Sequence, residues 1–595
     1  MKSLSYPLDY QTILRSYKAF KRKLSSFEYQ QTIKIAILGG STTAQLADIL
    51  SVFLMKIGIR PCFYESQYNK YYEDIMFENE ELQAFQPDII YLHTTNRNIS
   101  NWPQVSDTPE GVEDRLDSQY QRFQEVWDKI KDTYHCAVIQ NNFELSDQRL
   151  LGNLDSYDLR GHTHFMMELN QRIAQYARSN TNFHINDIHY LSSSMGLDTW
   201  YDEKLWYAYK YAMSLEGLVM LAYNLSVMIK SMYGLSKKCL VTDLDNTLWG
   251  GVIGDDGLEN IELGPETPLG EAYTDVQQYL KQLKQRGIIL AVCSKNDDHT
   301  AKQGLTHPDS VLTLEDFAHF TANWQEKHES LKQMAIDLAI GLDSLVFLDD
   351  NPVERQLVAD QLPTVAVPNI GSDVTQYIKY LSHSGYFEPV TLSTDDLQRS
   401  QYYQANAERS QSIATYGSYD DFLLSLNMHA EIKFFSALYL DRITQLINKT
   451  NQFNLTTRRY ILPEVQTIAN DDSYLTLYGR LEDKFGDNGV VAGIIGRLEQ
   501  AILHIDLWVM SCRVLKRSLE IVMFDQLVYR CQQRGINVIQ GSYIRTPKNG
   551  MVADHYQKLG FERILQDSQG NSSWRFVVSP AYCPQNHWME VNHEG

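Results

Sequence analysis

The sequence predicts a multidomain α/β protein, and three observations predict it. At 595 residues the chain has room for three or four domains, each able to bury its own core. In the first two segments, short apolar runs alternate with polar, helix-like stretches, the rhythm of parallel sheets flanked by helices. In the last segment a run of strands surrounds one long helix with an apolar face, which points to a mixed α/β domain. The expected domains are residues 1–235, 236–385 and 429–595, with a helical linker at 386–428.

Charge and cysteine usage narrow the function classes. There are 53 basic and 74 acidic residues, a net charge of −21. That argues against general nucleic-acid binding and against a polybasic membrane anchor, yet leaves room for a local basic pocket for a phosphorylated substrate. Seven cysteines (62, 136, 239, 293, 512, 531 and 583) are dispersed without a Cys-x-x-Cys pair, so a reducing, cytoplasmic location is expected rather than a disulfide framework or zinc site. The N-terminus has no signal-peptide apolar region. The most apolar later helix, at 214–232, carries Glu216, Asn224 and Lys230 and reads as buried, not membrane-spanning.

In the first segment, strands are expected at 33–38, 88–92, 136–140 and 183–188. The first ends in Gly39-Gly40-Ser41-Thr42-Thr43, small residues that let a tight turn enter a helix and expose Ser41.

The second segment carries the strongest chemical signal. Asp243 and Asp245 close the apolar run at 239–241 in an Asp-x-Asp-x-Thr pattern. Two carboxylates so close repel unless a cation lies between them, and together they suit phosphoryl transfer: one attacks phosphorus, the other moves a proton. The strand at 288–293 delivers Ser294, a hydrogen-bond donor for phosphate, and helical sequence surrounds Lys327, which can neutralise phosphate charge. The strand at 344–348 delivers Asp349-Asp350, which with Asp243 and Asp245 (through its backbone carbonyl) offer hard oxygen ligands for Mg²⁺. All of these residues leave strand C-terminal ends or follow them, where open α/β sheets bind ligands. Only a short loop separates the first motif from the helix near Tyr273, which leaves little room for a cap domain.

In the third segment the expected order is strand 429–435, helix 440–453, strands 474–482, 489–498 and 501–510, helix 515–534, strand 538–543, helix 550–559 and strand 574–578. Cys512 stands at the predicted N-terminus of the long helix beside Arg513, where a thiolate is favoured. Cys293 adjoins Ser294, but the period of a strand points it to the opposite face.

These motifs resemble known families. The Ser41 block resembles the first block of SGNH hydrolases, in which the serine is a nucleophile, and Asn96 is placed like that family's oxyanion donor. The family's Asp-x-x-His pair has no counterpart after the last strand, where Asp198 and Asp202 lack a histidine; Asp132/His135 precedes a strand. The expectation is therefore an SGNH/flavodoxin-like parallel sheet used for docking or oligomerisation. The second segment resembles the haloacid dehalogenase (HAD) superfamily. That likeness implies Asp243 as nucleophile, Asp245 as acid/base, and Ser294, Lys327 and Asp349/Asp350 as the later motifs of a HAD-like sheet without a large cap. The string from Asp243 to Gly257 resembles the FkbH-like branch. The third segment resembles the GNAT acyltransferase fold, whose turn before the long helix faces the CoA pyrophosphate. Here that turn is 511–518, with Arg513, Lys516 and Arg517; the family's glycines are replaced by Lys516 and Ser518. Asn549 to Phe561 matches a stretch common in that fold, with Tyr556 directed toward the acyl site.

The FkbH-like resemblance implies a glyceryl transferase/phosphatase. Such a protein takes 1,3-bisphosphoglycerate, removes phosphate through an aspartyl-phosphate, and loads the acyl unit on the phosphopantetheine thiol of an acyl carrier protein, directly or through Cys512. Its partners are then a carrier protein and a phosphorylated three-carbon substrate, with no nucleic acid and no membrane, and a homo-oligomer is possible. Two other readings stand: a free-standing Mg²⁺-dependent phosphatase of a small phosphorylated metabolite, and a non-catalytic scaffold.

Overall fold

The computed structural model describes residues 2–29, 31–398, 402–403, 409 and 416–592. The chain forms two compact units: Met1–Met232 with Ile461–Glu464, and Tyr233–Tyr460 with Val465–Gly595. It is a multidomain α/β protein with two parallel sheets and one mixed sheet.

In the first unit, β1 (Gln31–Gly39), β2 (Ile59–Glu65), β3 (Ile89–His93), β4 (Ala137–Asn141) and β5 (Phe183–Asn186) form a five-stranded sheet in the order β2-β1-β3-β4-β5, with every pair parallel. Strand β2 was not expected from the sequence. It is an edge strand, half exposed and carrying Pro61, so it lacks the continuous apolar run of its neighbours. Helix Leu215–Met232 packs on helix Ala44–Lys56, and both bury most of their surface. The Ser214 hydroxyl accepts from the Gly217 N–H at 3.0 Å and caps the former.

The second unit holds the other two sheets. Strands β6 (Cys239–Thr242), β7 (Ile289–Ser294), β8 (His319–Ala322) and β9 (Leu345–Leu348) run parallel in the order β8-β7-β6-β9. Strands β6, β7 and β9 are wholly buried, which is why they read as uninterrupted apolar runs; the half-exposed edge strand β8 did not.

The mixed sheet contains β10 (Met428–Lys433), β11 (Tyr474–Asp483), β12 (Gly486–Glu499), β13 (Ile502–Met510), β14 (Val538–Tyr543), β15 (Glu562–Gln566), β16 (Ser572–Val577) and β17 (Met589–Asn592). Their order is β15-β16-β14-β13-β12-β11-β10-β17. Parallel pairing of β13 with β14 covers only Ile502–Ile505 against Val538–Gly541, after which the two strands part. The chain's own segment 453–455 fills the wedge. Met510 donates to the Phe453 carbonyl at 3.0 Å, Leu455 to Trp508 at 3.2 Å and Ile544 to Leu455 at 2.8 Å. The main chain thereby satisfies groups that the splay would leave bare.

Helix boundaries differ from expectation for local reasons. The long helix runs Leu519–Gln533, not from 515, because Lys516 (φ 64°) and Ser518 (φ 60°) are left-handed, after a 3₁₀ turn at Cys512–Val514. The expected helix at 550–559 is a 3₁₀ turn, Gly550–Val552, followed by one helical turn, His555–Lys558. In the linker, Thr394–Leu397 and Tyr419–Ser425 are helical, and much of the expected helix between them lies outside the described residues. Among the described residues, no helix is long and apolar enough to cross a membrane.

Candidate active site

The C-terminal edge of the second parallel sheet gathers the predicted phosphoryl-transfer residues. Asp243 follows β6, and its N–H continues the ladder to the Leu348 carbonyl at 2.9 Å. Leu244 is fully buried, and Asn246 (φ 53°) turns the chain so that Thr247 and Leu248 both bond back to Leu244. This anchored turn holds the two aspartates apart. The Asp243 carboxylate faces Lys327, whereas the Asp245 carboxylate accepts from Trp249 Nε1 at 2.9 Å, the Ile253 N–H at 3.1 Å and Asn296 Nδ2 at 3.0 Å.

Lys327 is the first residue of helix Lys327–Asp337 and is 3% exposed. Its ammonium bridges Asp243 Oδ2 at 2.7 Å and Asp349 Oδ2 at 2.5 Å. Asp349 Oδ1 accepts from the Asn351 N–H at 2.8 Å, while Asp243 Oδ1 is buried with no hydrogen-bond partner. Oxygens of Asp243, Asp349 and Asp350 lie within 4.8 Å of one another; the Asp245 carboxylate is outside this group. Ser294 ends β7, buried at the same edge, where its carbonyl accepts from the Asn323 N–H at 3.1 Å.

Three carboxylates around one ammonium leave excess negative charge. Burial, then the Asp243 charge, pushes the Asp349 carboxyl up to about 6 and also raises Asp350. Burial raises Asp245 as well. Burial opposes the Lys327 charge, but Asp243 and Asp349 outweigh it and hold the ammonium above its ordinary pKa.

Sequence reasoning missed three supporting groups. Asn296 orients Asp245. Thr247 accepts from the Asp350 N–H at 3.2 Å, and Arg355 Nη1 donates to the Asp349 and Asp350 carbonyls at 2.7 and 2.6 Å. The signals were present: Asn296 stands two residues after Ser294, Thr247 ends the first motif, and Arg355 lies one turn beyond the Asn351-Pro352 helix start. Trp324 and Val353, in the segments that follow β8 and β9, expose 76% and 71% of their surface, and Lys295 ties these segments together through Glu326 (3.4 Å) and Glu354 (2.8 Å).

The comparisons with known proteins fit this architecture. The family described as FkbH, N-terminal domain, matches residues 34–230. The N-terminal part of protein BF1531 from Bacteroides fragilis, which contains a phosphatase domain and is complexed with Mg, is 30% identical. It aligns over 63% of this chain and 99% of its own, with a TM-score of 0.59. The chain belongs to the FkbH-like family. Its second parallel sheet is a HAD-like, phosphatase-type domain. Two acetyltransferases also align with the chain. They are the ribosomal-protein-S18-alanine N-acetyltransferase from Escherichia coli (12% identity, 26% of this chain, 96% of that one, TM-score 0.21) and yncA from Salmonella typhimurium, a putative acetyltransferase with acetyl-CoA (14%, 26%, 98%, 0.20). No curated protein matches the chain.

The remaining predicted residues of this FkbH-like chain lie apart from the aspartates. Cys512 is half-buried in a 3₁₀ turn rather than at an α-helix start, with Sγ 3.7 Å from the Tyr403 hydroxyl. The turn at 511–518 has left-handed backbone at Lys516 and Ser518, the positions where the resembled fold places glycine. Its arginines point inward. Arg517 Nη1 pairs with Asp483 at 2.7 Å, and Arg513 lies over the Tyr402 ring at 4.2 Å. Asn549 is fully buried and locks its own loop, accepting from the Thr546 N–H at 2.8 Å and donating to the Asn454 carbonyl at 2.9 Å. Tyr556 is 1% exposed and packs under Gly541, where a Cβ would lie 2.3 Å from its ring. Arg517, Asn549 and Tyr556 thus stand as packing and loop-locking groups. Burial pushes the Cys293 thiol up to about 12, as suits a core residue.

In the first unit, Ser41 is 2% exposed, and its neighbour Thr42 donates to the carbonyls of Lys210 and Tyr209 at 3.0 and 2.7 Å, which closes the serine off rather than exposing it. Asn96 Nδ2 donates to the Tyr201 hydroxyl at 2.7 Å.

Proposed function

We propose that the HAD-like domain is a Mg²⁺-dependent phosphohydrolase working through an aspartyl-phosphate. The observation that carries this reading is the division of labour between the two aspartates: Asp243 is clamped by Lys327 with one oxygen unpartnered, and Asp245 is held off by Trp249, Ile253 and Asn296. Asp243 Oδ1 attacks phosphorus, and the bond to the leaving oxygen breaks. Asp245, whose proton burial helps retain, gives that proton to the leaving oxygen. It then accepts one from the water that cleaves the aspartyl-phosphate and releases inorganic phosphate. Ser294 donates to a phosphate oxygen, and Lys327 holds Asp243 in line while offsetting charge on the transferring group. The fit of a hard cation rests on the clustered oxygens of Asp243, Asp349 and Asp350. Those three residues would hold Mg²⁺, which supplies charge stabilisation to the phosphoryl oxygens.

The substrate in this reading is 1,3-bisphosphoglycerate or a related phosphorylated hydroxyacyl donor: the thiolate of an acyl carrier protein attacks the acyl carbon, the acyl phosphate leaves as inorganic phosphate, and Asp243 attacks the remaining phosphomonoester. The FkbH-like relationship supports it, and the exposed Trp324 and Val353, on the segments that follow β8 and β9, offer a surface for a carrier. A second reading is a free-standing Mg²⁺-dependent phosphatase of a small phosphorylated metabolite; the burial of Asn549 and Tyr556 in loop-locking and packing roles favours it, since neither then serves an acyl site. One experiment separates them. The protein is incubated with Mg²⁺, 1,3-bisphosphoglycerate and a pantetheinylated carrier, and the carrier is weighed by mass spectrometry. A glyceryl adduct abolished by Asp243→Asn supports transfer. Phosphate release without an adduct supports the second reading. Neither product with wild-type protein overturns both.

A further inference from the structure

Four loops leave the C-terminal edge of the HAD-like sheet and surround the aspartate site: residues 243–256, 295–302, 323–329 and 349–355, after β6, β7, β8 and β9. They carry eleven Asp and Glu residues against four Lys and Arg. Each of the four cations is already engaged. Lys327 is clamped between Asp243 and Asp349. Arg355 Nη1 donates to the carbonyls of Asp349 and Asp350. Lys302 pairs with Asp298 at 2.7 Å, and Lys295 is shared by Glu326 at 3.4 Å and Glu354 at 2.8 Å.

The Lys295 bridge adjoins the site at three points. Lys295 follows Ser294, Glu326 precedes Lys327, and Glu354 precedes Arg355. One ammonium between two carboxylates leaves the bridge with a net negative charge. Glu354 Oε2 is buried with no hydrogen-bond partner among the described residues. The phosphoryl group escapes this field, because Ser294 and Lys327 stand ready to receive it beside the buried, unpartnered Asp243 Oδ1. A second negative group on the same substrate finds no free cation on the four loops, and it meets the uncompensated charge of the bridge.

We propose that Glu326 and Glu354, sharing Lys295, are specificity-determining residues that restrict the site to phosphate monoesters whose remote end is uncharged and turn away those with a free carboxylate there. This selectivity rests on the phosphatase reading of Asp243. A hydroxyacid phosphate then reaches Asp243 only with its carboxyl masked as an ester or thioester, so the reaction that supplies such a substrate is an acyl transfer.

The test compares 3-phosphoglycerate with its methyl ester, two phosphate monoesters that differ by one remote charge. Initial rates of phosphate release by the full chain are measured at fixed free Mg²⁺, with p-nitrophenyl phosphate as a reference. The methyl ester should show a kcat/KM on the order of tenfold higher, carried by KM, and added salt should shrink the ratio. The double variant Glu326→Gln with Glu354→Gln frees Lys295 to pair with the carboxylate and should bring the ratio to about threefold or less. Equal handling of acid and ester by the wild type, with p-nitrophenyl phosphate cleaved, overturns the proposal alone. A wild-type ratio that the double variant leaves unchanged overturns the assignment to Glu326 and Glu354. Cleavage of none of the three compounds overturns the phosphatase reading, and this selectivity with it. If the double variant does not fold, the salt dependence decides: a wild-type ratio insensitive to ionic strength overturns a filter made of charge.

Discussion

Asn296 shows how a neutral side chain sets the chemistry of a charged one. Its amide donates to Asp245 Oδ2, and a donor to a carboxylate favours the ionised form. Burial pushes Asp245 the other way. Asn296→Ala removes the opposing bond, so the pH at which Asp245 loses its proton should rise. In a p-nitrophenyl phosphate assay, the limb of the rate profile governed by Asp245 is expected to move to higher pH, and Asp245→Asn should lose that limb with turnover down about 10²–10⁴-fold. An unchanged profile in Asn296→Ala would detach Asn296 from this role. The positions of Asp243, Ser294, Lys327 and Asp349 were legible because each is fixed by a strand or helix end. Partners such as Asp483 for Arg517, 34 residues away in sequence, were not, because side-chain pairing across a fold leaves no local periodicity.

The turn at 511–518 carries the sharpest conflict between local preference and structure. Left-handed backbone costs an ordinary residue roughly 1 kcal/mol, and Lys516 and Ser518 both adopt it. Tyr419 helps hold the turn by donating its hydroxyl to the Lys516 carbonyl. Lys516→Gly and Ser518→Gly should each raise stability by about 0.5–1 kcal/mol in chemical denaturation; a loss would show that the side chains matter more than the backbone strain. The same turn explains why the sequence put the following helix four residues early: Leu515 has the apolar spacing of the helix, but the backbone at 516 and 518 postpones it. Buried strands were legible as apolar runs, whereas β2, β8, β15 and β17 were not, being short or exposed edge strands.

Across the whole molecule, each compact unit buries a neutral histidine. Burial lowers His93 to about 4 and His555 to about 3, from 6.5. Below 6.5 the unfolded chain takes up protons that the folded chain refuses. Stability from these groups is complete above that pH and is lost as pH falls toward the folded values. By pH 5 the loss is roughly 2 kcal/mol for each histidine. Urea unfolding at pH 7 and pH 5 should show earlier midpoints at the lower pH in both units, and flat midpoints would mean that the rings are protonated in the fold. The three-sheet organisation was legible in the chain's rhythm. The way segment 453–455 returns to fill another element's gap was not, since no local pattern announces a main chain pairing with strands far along the sequence.

That returning segment has a kinetic consequence. Leu455, Met510 and Ile544 bury their amide protons in bonds that exist only while the segment stays seated. These three amides should exchange with deuterium as one group, at the rate of a single opening event. If they exchange separately, the segment is a loosely draped strand rather than a fixed part of the sheet.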